Sequence, residues 1–162
     1  MHRLSCLILW LFFGVLWGQN TYVPGLSKAR PETDVHFWHL ELEPRMSDGY
    51  LQGFVETHLR ALTSDSLLCF DLHDSLSVDS AMVNGIMVPF SRPGNGSVCL
   101  QPLQEIQAGS HYISGIWYQG FPPMGIGLGG YTHALRKGSP EVWTLSQPFA
   151  GHTWWPVKDA LG

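Results

Sequence analysis

Two stretches in the first half of the chain decide the fold: VHFWHLELE (residues 35–43) and LQGFVETHLRAL (residues 51–62). Apolar and polar residues alternate along both, and the residues between them have the composition of a turn. Alternation with a period of two is typical of a β-strand with one wet face. We therefore predict a strand for each stretch. The apolar set of the first is Val35, Phe37, Leu40 and Leu42, and that of the second includes Phe54, Val55, Leu59 and Leu62.

Further short runs of the same kind follow along the chain and predict more strands. They lie at residues 67–72, 76–83, 86–90, 96–100 and 112–118. Turn residues separate the runs at intervals of about 8–12 residues, which is typical of β-sandwiches. The Asn84-Gly85 step is the strongest short-range signal for a hairpin. No segment has a convincing helical period, so the sequence predicts an all-β fold.

The last third of the chain has a different composition. Residues 120–141 are rich in glycine and have no clear period, which predicts a long loop. Gly125, Gly127 and Gly130 satisfy the spacing G-x-G-x-x-G. That motif binds a dinucleotide only when a strand precedes it and a helix follows it, and the flanking residues predict neither. We interpret the segment as a flexible loop.

The N-terminus indicates export. After a basic start, an unbroken apolar run of 14 residues extends from Leu4 to Trp17. This is shorter than the roughly 20 residues that span a bilayer as a helix, and it is typical of a secretory signal peptide. An uncleaved anchor or a buried helix is the alternative. We predict a signal peptide at residues 1–18, a linker at 19–33, one domain at 34–162, no stable membrane span, and a periplasmic, extracellular or cell-surface location.

Charge and cysteine usage exclude some partners. The formal net charge is −4, which argues against a nucleic-acid partner because such a partner requires a basic face. Cys69 and Cys99 could pair in an oxidising compartment, but two buried free thiols are at least as consistent with strand-like runs. Neither cysteine has a second ligand at metal-binding spacing. His36 and His39 are three residues apart in a predicted strand, where their side chains should point to opposite faces. We predict no metal site and no catalytic residues in this chain.

The most unusual stretch is WTLSQPFAGHTWWPVKD (residues 143–159). Residues 142–145 predict a strand, and Pro148 favours an extended conformation at Gln147, which would present its amide at the strand end. Trp154 and Trp155 could form a hydrophobic plug beside a solvated Gln147. Alternatively, they could serve as interface anchors or as a platform on which sugars stack.

This stretch resembles a segment of the M1 family of zinc metallo-aminopeptidases. In the secreted bacterial branch the segment is similar to W-T-L-S-Q-P-F-G-A followed by W-W-P-C-K-D. Gln147 matches the family glutamine, and Trp155, Pro156 and Asp159 match the later block. The stretches DVHFWHLELEP, GYLQGFVETHLRAL and LLCFDLHDSLSVDSAMVNG resemble the family's N-terminal β domain. The resemblance covers roughly residues 34–159.

The resemblance implies a fold and a role. The family's N-terminal domain is a curved antiparallel β-sandwich packed over a catalytic domain that carries H-E-x-x-H and G-x-M-E-N. Neither motif occurs in these 162 residues. The resemblance therefore implies a domain truncated before the catalytic portion and inactive alone, with zinc in the intact enzyme and no cofactor in this chain. The implied partners are that catalytic metallopeptidase domain and a peptide substrate.

Two site residues follow from the same resemblance. The family glutamine lines the pocket for the first side chain of the substrate, which makes Gln147 a predicted substrate-binding residue. Phe149 occupies the position where many relatives carry a glutamate that helps to hold the substrate's α-ammonium, and the secreted branch shares this change. The alternative function is a secreted β-sandwich module that binds glycans or proteins through exposed aromatic residues, namely Tyr131, Trp143, Trp154 and Trp155.

Overall fold

The computed structural model describes residues 32–126, 129–147 and 149–158. The predicted signal peptide, nearly all of the predicted linker, and Asp159 lie outside these residues. In the part of the chain that is described, no helix is long and apolar enough to cross a membrane. The strands are β1 (Thr33–Pro44), β2 (Leu51–Ala61), β3 (Leu68–Asp71), β4 (Leu76–Val83), β5 (Ile86–Met87), β6 (Phe90–Ser91), β7 (Ser97–Leu100), β8 (His111–Gly120), β9 (Met124–Ile126), β10 (Gly129–Arg136) and β11 (Ser139–Leu145).

These strands form three antiparallel sheets, and the predicted all-β fold is confirmed. The largest sheet has five strands in the order β1-β2-β8-β4-β5. Two smaller sheets have the orders β3-β7-β6 and β11-β10-β9. Asn84 and Gly85 form the predicted hairpin turn between β4 and β5, both with positive φ, as a two-residue turn of type I′ requires.

The core lies between the inner face of the large sheet and the two smaller sheets. Every second residue of β2 points into it, and the same alternation continues on β8 with Ile116 and Tyr118. Phe70 and Val98 approach from β3 and β7, and Tyr131 approaches from β10. The buried members of β2 are Leu51, Val55, Thr57, Leu59 and Ala61.

A bulge in β1 reverses the face of one predicted core residue. Val35 pairs with Leu59, but Phe37 pairs with His58, so His36 is an extra residue in the ladder. The bulge moves Phe37 to the solvent face, where 52% of its surface is exposed and its ring packs edge-on against His58. The alternation therefore predicted the strand correctly and the position of Phe37 wrongly, because one inserted residue exchanges the two faces.

The glycine-rich segment at residues 120–141 is not the predicted loop but contributes β9, β10 and the first three residues of β11. Lys137 and Gly138 both have positive φ and form a two-residue hairpin turn between β10 and β11. His133 fixes this hairpin to the turn before β2, since its Nε2 lies 2.8 Å from the carbonyl oxygen of Met46. A Cβ on Gly49 would lie 2.7 Å from the Cβ of His133, so glycine is required there for the close approach.

Cys69 and Cys99 are joined by a disulfide across β3 and β7. They stand directly opposite each other in the ladder, with Cα atoms 4.0 Å apart. The sequence left their pairing open, because it did not show which strands would be neighbours.

Replacing both Cys69 and Cys99 with alanine should lower the free energy of unfolding by about 3 kcal/mol. The cysteines are separated by 30 residues, and the crosslink restricts a loop of that length in the unfolded chain. Urea unfolding with and without a reductant measures this effect. The reductant should destabilise the wild-type chain and leave the double variant unchanged. An equal response of the two proteins would contradict the prediction.

Candidate functional site

The residues that were predicted to bind substrate follow the last strand. β11 ends at Leu145, and Gln147 lies in the turn directly after it with an exposed side chain. Phe149 lies two residues further on and is half-buried. The structure thus brings both residues into one short segment, and Gln147 stands at a strand end as its neighbours in sequence predicted.

A side-chain hydrogen bond closes this segment into a loop. Trp154 Nε1 donates a hydrogen bond of 2.9 Å to Ser146 Oγ, across eight residues. Between the two, residues Gly151–Thr153 form one turn of 3-10 helix, in which Thr153 Oγ1 donates to the carbonyl oxygen of Ala150 at 2.6 Å. The side chains of Ser146 and Trp154 are therefore joined, with Gln147 directly after the first of them.

Trp155 attaches the same segment to the core. Its ring lies 4.9 Å from that of Trp38 in an edge-to-face arrangement, and Trp38 in turn packs edge-on against Phe70 at 6.2 Å. Aromatic pairs of this geometry contribute about 0.5–1.5 kcal/mol beyond their buried area. Trp154 and Trp155 are both partly buried against the core, as the plug interpretation predicted.

Backbone bonds extend the attachment to the end of the described chain. Asp71 and Val157 exchange two backbone hydrogen bonds of 2.7 and 3.0 Å, which adds a short antiparallel bridge at the end of β3. Lys158 Nζ donates to the carbonyl oxygen of Thr33 at 2.6 Å. The backbone N–H of His73 donates to the carbonyl oxygen of His152 at 2.8 Å. Residues 150–158 therefore lie fixed against β1 and β3.

The environment of His73 disfavours its charged form. Partial burial is the main cause that lowers the pKa of His73, and His152 and Arg92 lower it further, while Asp74 opposes them. The backbone N–H of Ser75 donates to Nδ1 of His73 at 3.1 Å, a bond that only the unprotonated nitrogen can accept. Arg92 Nη2 also donates to the carbonyl oxygens of Leu72 and His73, which fixes this turn.

The aromatic residues of the alternative binding module do not form one exposed platform. Tyr131 is 3% exposed, with its side chain in the core, and burial raises its pKa. Trp154 and Trp155 are partly buried, as described above. Trp143 on β11 is 48% exposed and lies apart on the outer face of the small sheet.

Several solved structures share this fold. An M1 zinc metallopeptidase from Deinococcus radiodurans matches with a TM-score of 0.68 and 22% identity, over 82% of this chain and 30% of that chain. A mutant of that enzyme bound to a Tyr-Ser-Ala substrate matches with a TM-score of 0.68 and 21% identity, with the same coverage. A two-domain M1 zinc metallopeptidase mutant bound to L-tryptophan matches with a TM-score of 0.67 and 21% identity, over 82% of this chain and 31% of that chain.

The fold is that of the N-terminal β domain of M1 metallopeptidases. This chain spans about a third of the length of the solved structures that it matches. No protein-family model and no curated protein matches the sequence.

The residues that the structure describes do not provide a ligand set for a zinc ion. Within residues 32–126, 129–147 and 149–158, no three side chains of His, Cys, Asp or Glu lie together in a way that could hold a metal ion. His39 faces solvent on β1 and lies 3.8 Å from Glu41, while the ring of the bulge residue His36 packs 5.6 Å from that of His111.

The free energy of unfolding of this domain should fall as the pH drops below about 6.5. The pKa of His73 is lower in the folded chain than its ordinary value of 6.5. At a pH between these two pKa values, the unfolded chain therefore binds more protons than the folded chain. The contribution of His73 to the free energy of unfolding is complete above its pKa in the unfolded chain, and it is lost as the pH falls through its pKa in the folded chain. Urea unfolding at several pH values measures the slope.

His73→Asn should reduce this dependence on pH, since asparagine keeps an acceptor for the N–H of Ser75 but does not titrate. The variant Gln101→Asn, at an exposed position and with no titrating group, is the control and should keep the wild-type slope. An unchanged slope in His73→Asn would show that other groups cause the effect.

Proposed function

We propose that this chain is the N-terminal domain of an exported zinc aminopeptidase, and that it lines the pocket for the first residue of a peptide substrate without being catalytic alone. The observation that carries the proposal is the match of its fold to M1 zinc metallopeptidases, one of them with a peptide substrate bound. The position of Gln147 on a fixed loop after β11 supports the assignment of its role.

Gln147 and Phe149 are suited to different parts of such a pocket. The amide of Gln147 is exposed and offers both donors and an acceptor, so it can bind polar groups of a peptide. Phe149 presents an apolar ring that can pack against a side chain but cannot neutralise an ammonium group. The counter-charge for the substrate's α-ammonium would then come from the catalytic domain. Zinc, bound by that domain, would activate the water that attacks the first peptide bond.

The outer face of the small sheet β11-β10-β9 fits a contact with that catalytic domain. Trp143 and Leu145 alternate with inward residues on β11, and Met124 pairs with Gly130, the residue that also pairs with Leu145. All three side chains are exposed, by 48%, 46% and 66%. An apolar surface of this kind, next to the loop that bears Gln147, is typical of a face that another domain covers.

Export of the protein has two supports. The N-terminal sequence predicts a signal peptide at residues 1–18, and the disulfide between Cys69 and Cys99 is of a kind that forms and persists in oxidising compartments. Asn95, in the sequon Asn95-Gly96-Ser97, is exposed in the turn before β7, where a glycan could be attached in a host that glycosylates.

In the intact enzyme, Gln147→Ala should change the preference for the first residue of the substrate by about two- to tenfold in relative kcat/KM, the amount expected for one neutral hydrogen bond. Zinc content should remain unchanged. Gln101→Ala, at an exposed position outside this segment, is the matched control and should have no effect. An equal loss of activity on every substrate would instead indicate a folding role for Gln147.

The purified 162-residue chain should release no amino acids from peptides, and metal analysis should find far less than one zinc per chain. Both results are expected because the described residues form no three-ligand site. Adding zinc should restore no activity. Stoichiometric zinc together with peptidase activity would overturn the assignment of catalysis to another domain.

A further inference from the structure

A cleft lies on the outer face of the five-stranded sheet, on the side opposite the core. It has a volume of about 360 Å³. Its side chains come from paired positions on adjacent strands, and none belongs to the segment that carries Gln147. Its main outward-facing lining residues are Glu41 and Glu43 of β1, Gln52 and Phe54 of β2, Trp117 of β8, and Asp79 of β4.

An aromatic pair forms the floor of the cleft. Phe54 and Trp117 are partners across β2 and β8, and their ring centroids lie 4.5 Å apart with an angle of 33° between the planes. The neighbouring Gly115 leaves room for Phe54, because a Cβ there would lie 2.9 Å from Cε2 of that ring and 2.6 Å from Cε of Met82. The floor is therefore an ordered apolar surface that remains partly open to solvent.

Carboxylates form the rim. Glu41 is paired with Phe54 and Glu43 is paired with Gln52, so both stand beside the aromatic floor on the same face. Asp79 stands where the ladder of β4 and β8 shifts register between Val78 and Ser80. Bulges of this kind redirect a side chain at a functional edge of a sheet.

A hydrogen-bond network fixes Asp79 in this position. Gln119 Nε2 donates to Asp79 Oδ1 at 2.7 Å. The amide oxygen of Gln119 accepts bonds from Tyr50 Oη at 2.6 Å and from Gln52 Nε2 at 3.2 Å. Both ends of the Gln119 amide are therefore engaged, and the carboxylate is held at the rim before any ligand arrives.

The charge of the cleft indicates its occupant. Three carboxylates stand at the rim, and the described residues that line it include no lysine or arginine. Glu41 Oε1 lies 3.8 Å from Nε2 of His39, so Glu43 and Asp79 are the carboxylates best placed for a cation. Aromatic faces attract ammonium and guanidinium groups, and carboxylates bind the same groups through charge-assisted hydrogen bonds.

We propose that this cleft binds the cationic side chain of an arginine or lysine residue in a peptide or polypeptide. The cation would lie over Trp117 and Phe54 and would be bound by Glu43 and Asp79. A neutral glycan would also stack on the aromatic floor, but it would leave the charges of the rim unmatched. This site is distinct from the proposed Gln147 pocket, and its existence does not depend on the proposed function.

The test uses the ¹⁵N-labelled 162-residue chain and a capped Gly-Arg-Gly peptide. Titration should shift the indole N–H of Trp117 and the side-chain amides of Gln52 and Gln119. A capped Gly-Lys-Gly peptide should give similar shifts. The same peptide with citrulline, the neutral isostere of arginine, should give no saturable shifts. Binding should weaken as salt is raised, because the partners are exposed charges.

Two pairs of variants separate local from general electrostatics. The pair Glu43→Gln with Asp79→Asn keeps the shape of the rim, and it should weaken binding of the arginine peptide by about fivefold or more. The control pair Asp34→Asn with Glu141→Gln removes two charges elsewhere on the sheets and should leave binding unchanged. Thermal unfolding of each variant verifies that it is folded.

Three outcomes would overturn the proposal. The first is equal binding of the citrulline and arginine peptides. The second is undiminished binding to the folded Glu43→Gln, Asp79→Asn variant. The third is a response of Trp117 to neutral oligosaccharides but not to the arginine peptide, which would assign the floor to glycan binding. None of these results concerns Gln147, so the proposed function is tested separately by the variants and assays given for it.

Discussion

In the five-stranded sheet, β2 pairs with β8 in a register that puts Leu51, Val55 and Leu59 on the buried face and Phe54 on the opposite face. The rest of the structure depends on this register. A slip by one residue would exchange the two faces of β2, which would expose the centre of the core and bury Phe54. Both the packing of the smaller sheets and the acidic cleft on the outside follow from the same pairing.

The two adjacent tryptophans near the end of the described chain have different tasks. Trp155 packs against Trp38 and so attaches the segment to the large sheet, whereas Trp154 donates its indole hydrogen to Ser146 and closes the loop. Together they attach the segment at Ser146 and at Trp38, while the side chain of Gln147 remains exposed. A group that is held in place before binding loses less conformational entropy when a ligand arrives. This is the physical basis for the binding role that we propose for Gln147.

Two irregularities of the large sheet determine which side chains lie on its outer face. The bulge at His36 moves Phe37 outward, and the register shift at Asp79 sets a carboxylate beside the aromatic floor of the cleft. Both irregularities also serve the core, because the bulge at His36 lets both Val35 and Trp38 face it. In the same way, the shift at Asp79 lets both Leu76 and Ala81 face the core. The shift that fills the core on one side therefore also places Asp79 beside the aromatic floor of the cleft on the other side.

The sequence by itself determined β1 to β4, β7 and β8, the Asn84-Gly85 turn, and the position of Gln147 at a strand end. All of these depend on local alternation and on the φ preferences of turn residues, which act within a few residues. The single strand predicted at residues 86–90 is instead two strands, β5 and β6, in different sheets. Residues 142–145 were correctly predicted as a strand, but β10 and the start of β11 were missed because the glycines of that segment weaken the alternation, although Lys137-Gly138 provided a turn signal. The alternation of apolar and polar residues also changes phase between Phe37 and Leu40, and this change in the sequence indicated the bulge.

Only the tertiary structure decided which distant residues meet. The disulfide between Cys69 and Cys99, the packing of Trp155 on Trp38, and the pairing of Phe54 with Trp117 all join parts of the chain that are at least 30 residues apart. Such contacts depend on the order and register of strands in the sheets. That order is set by the packing of the whole core, to which every strand contributes, and no short stretch of sequence specifies it alone.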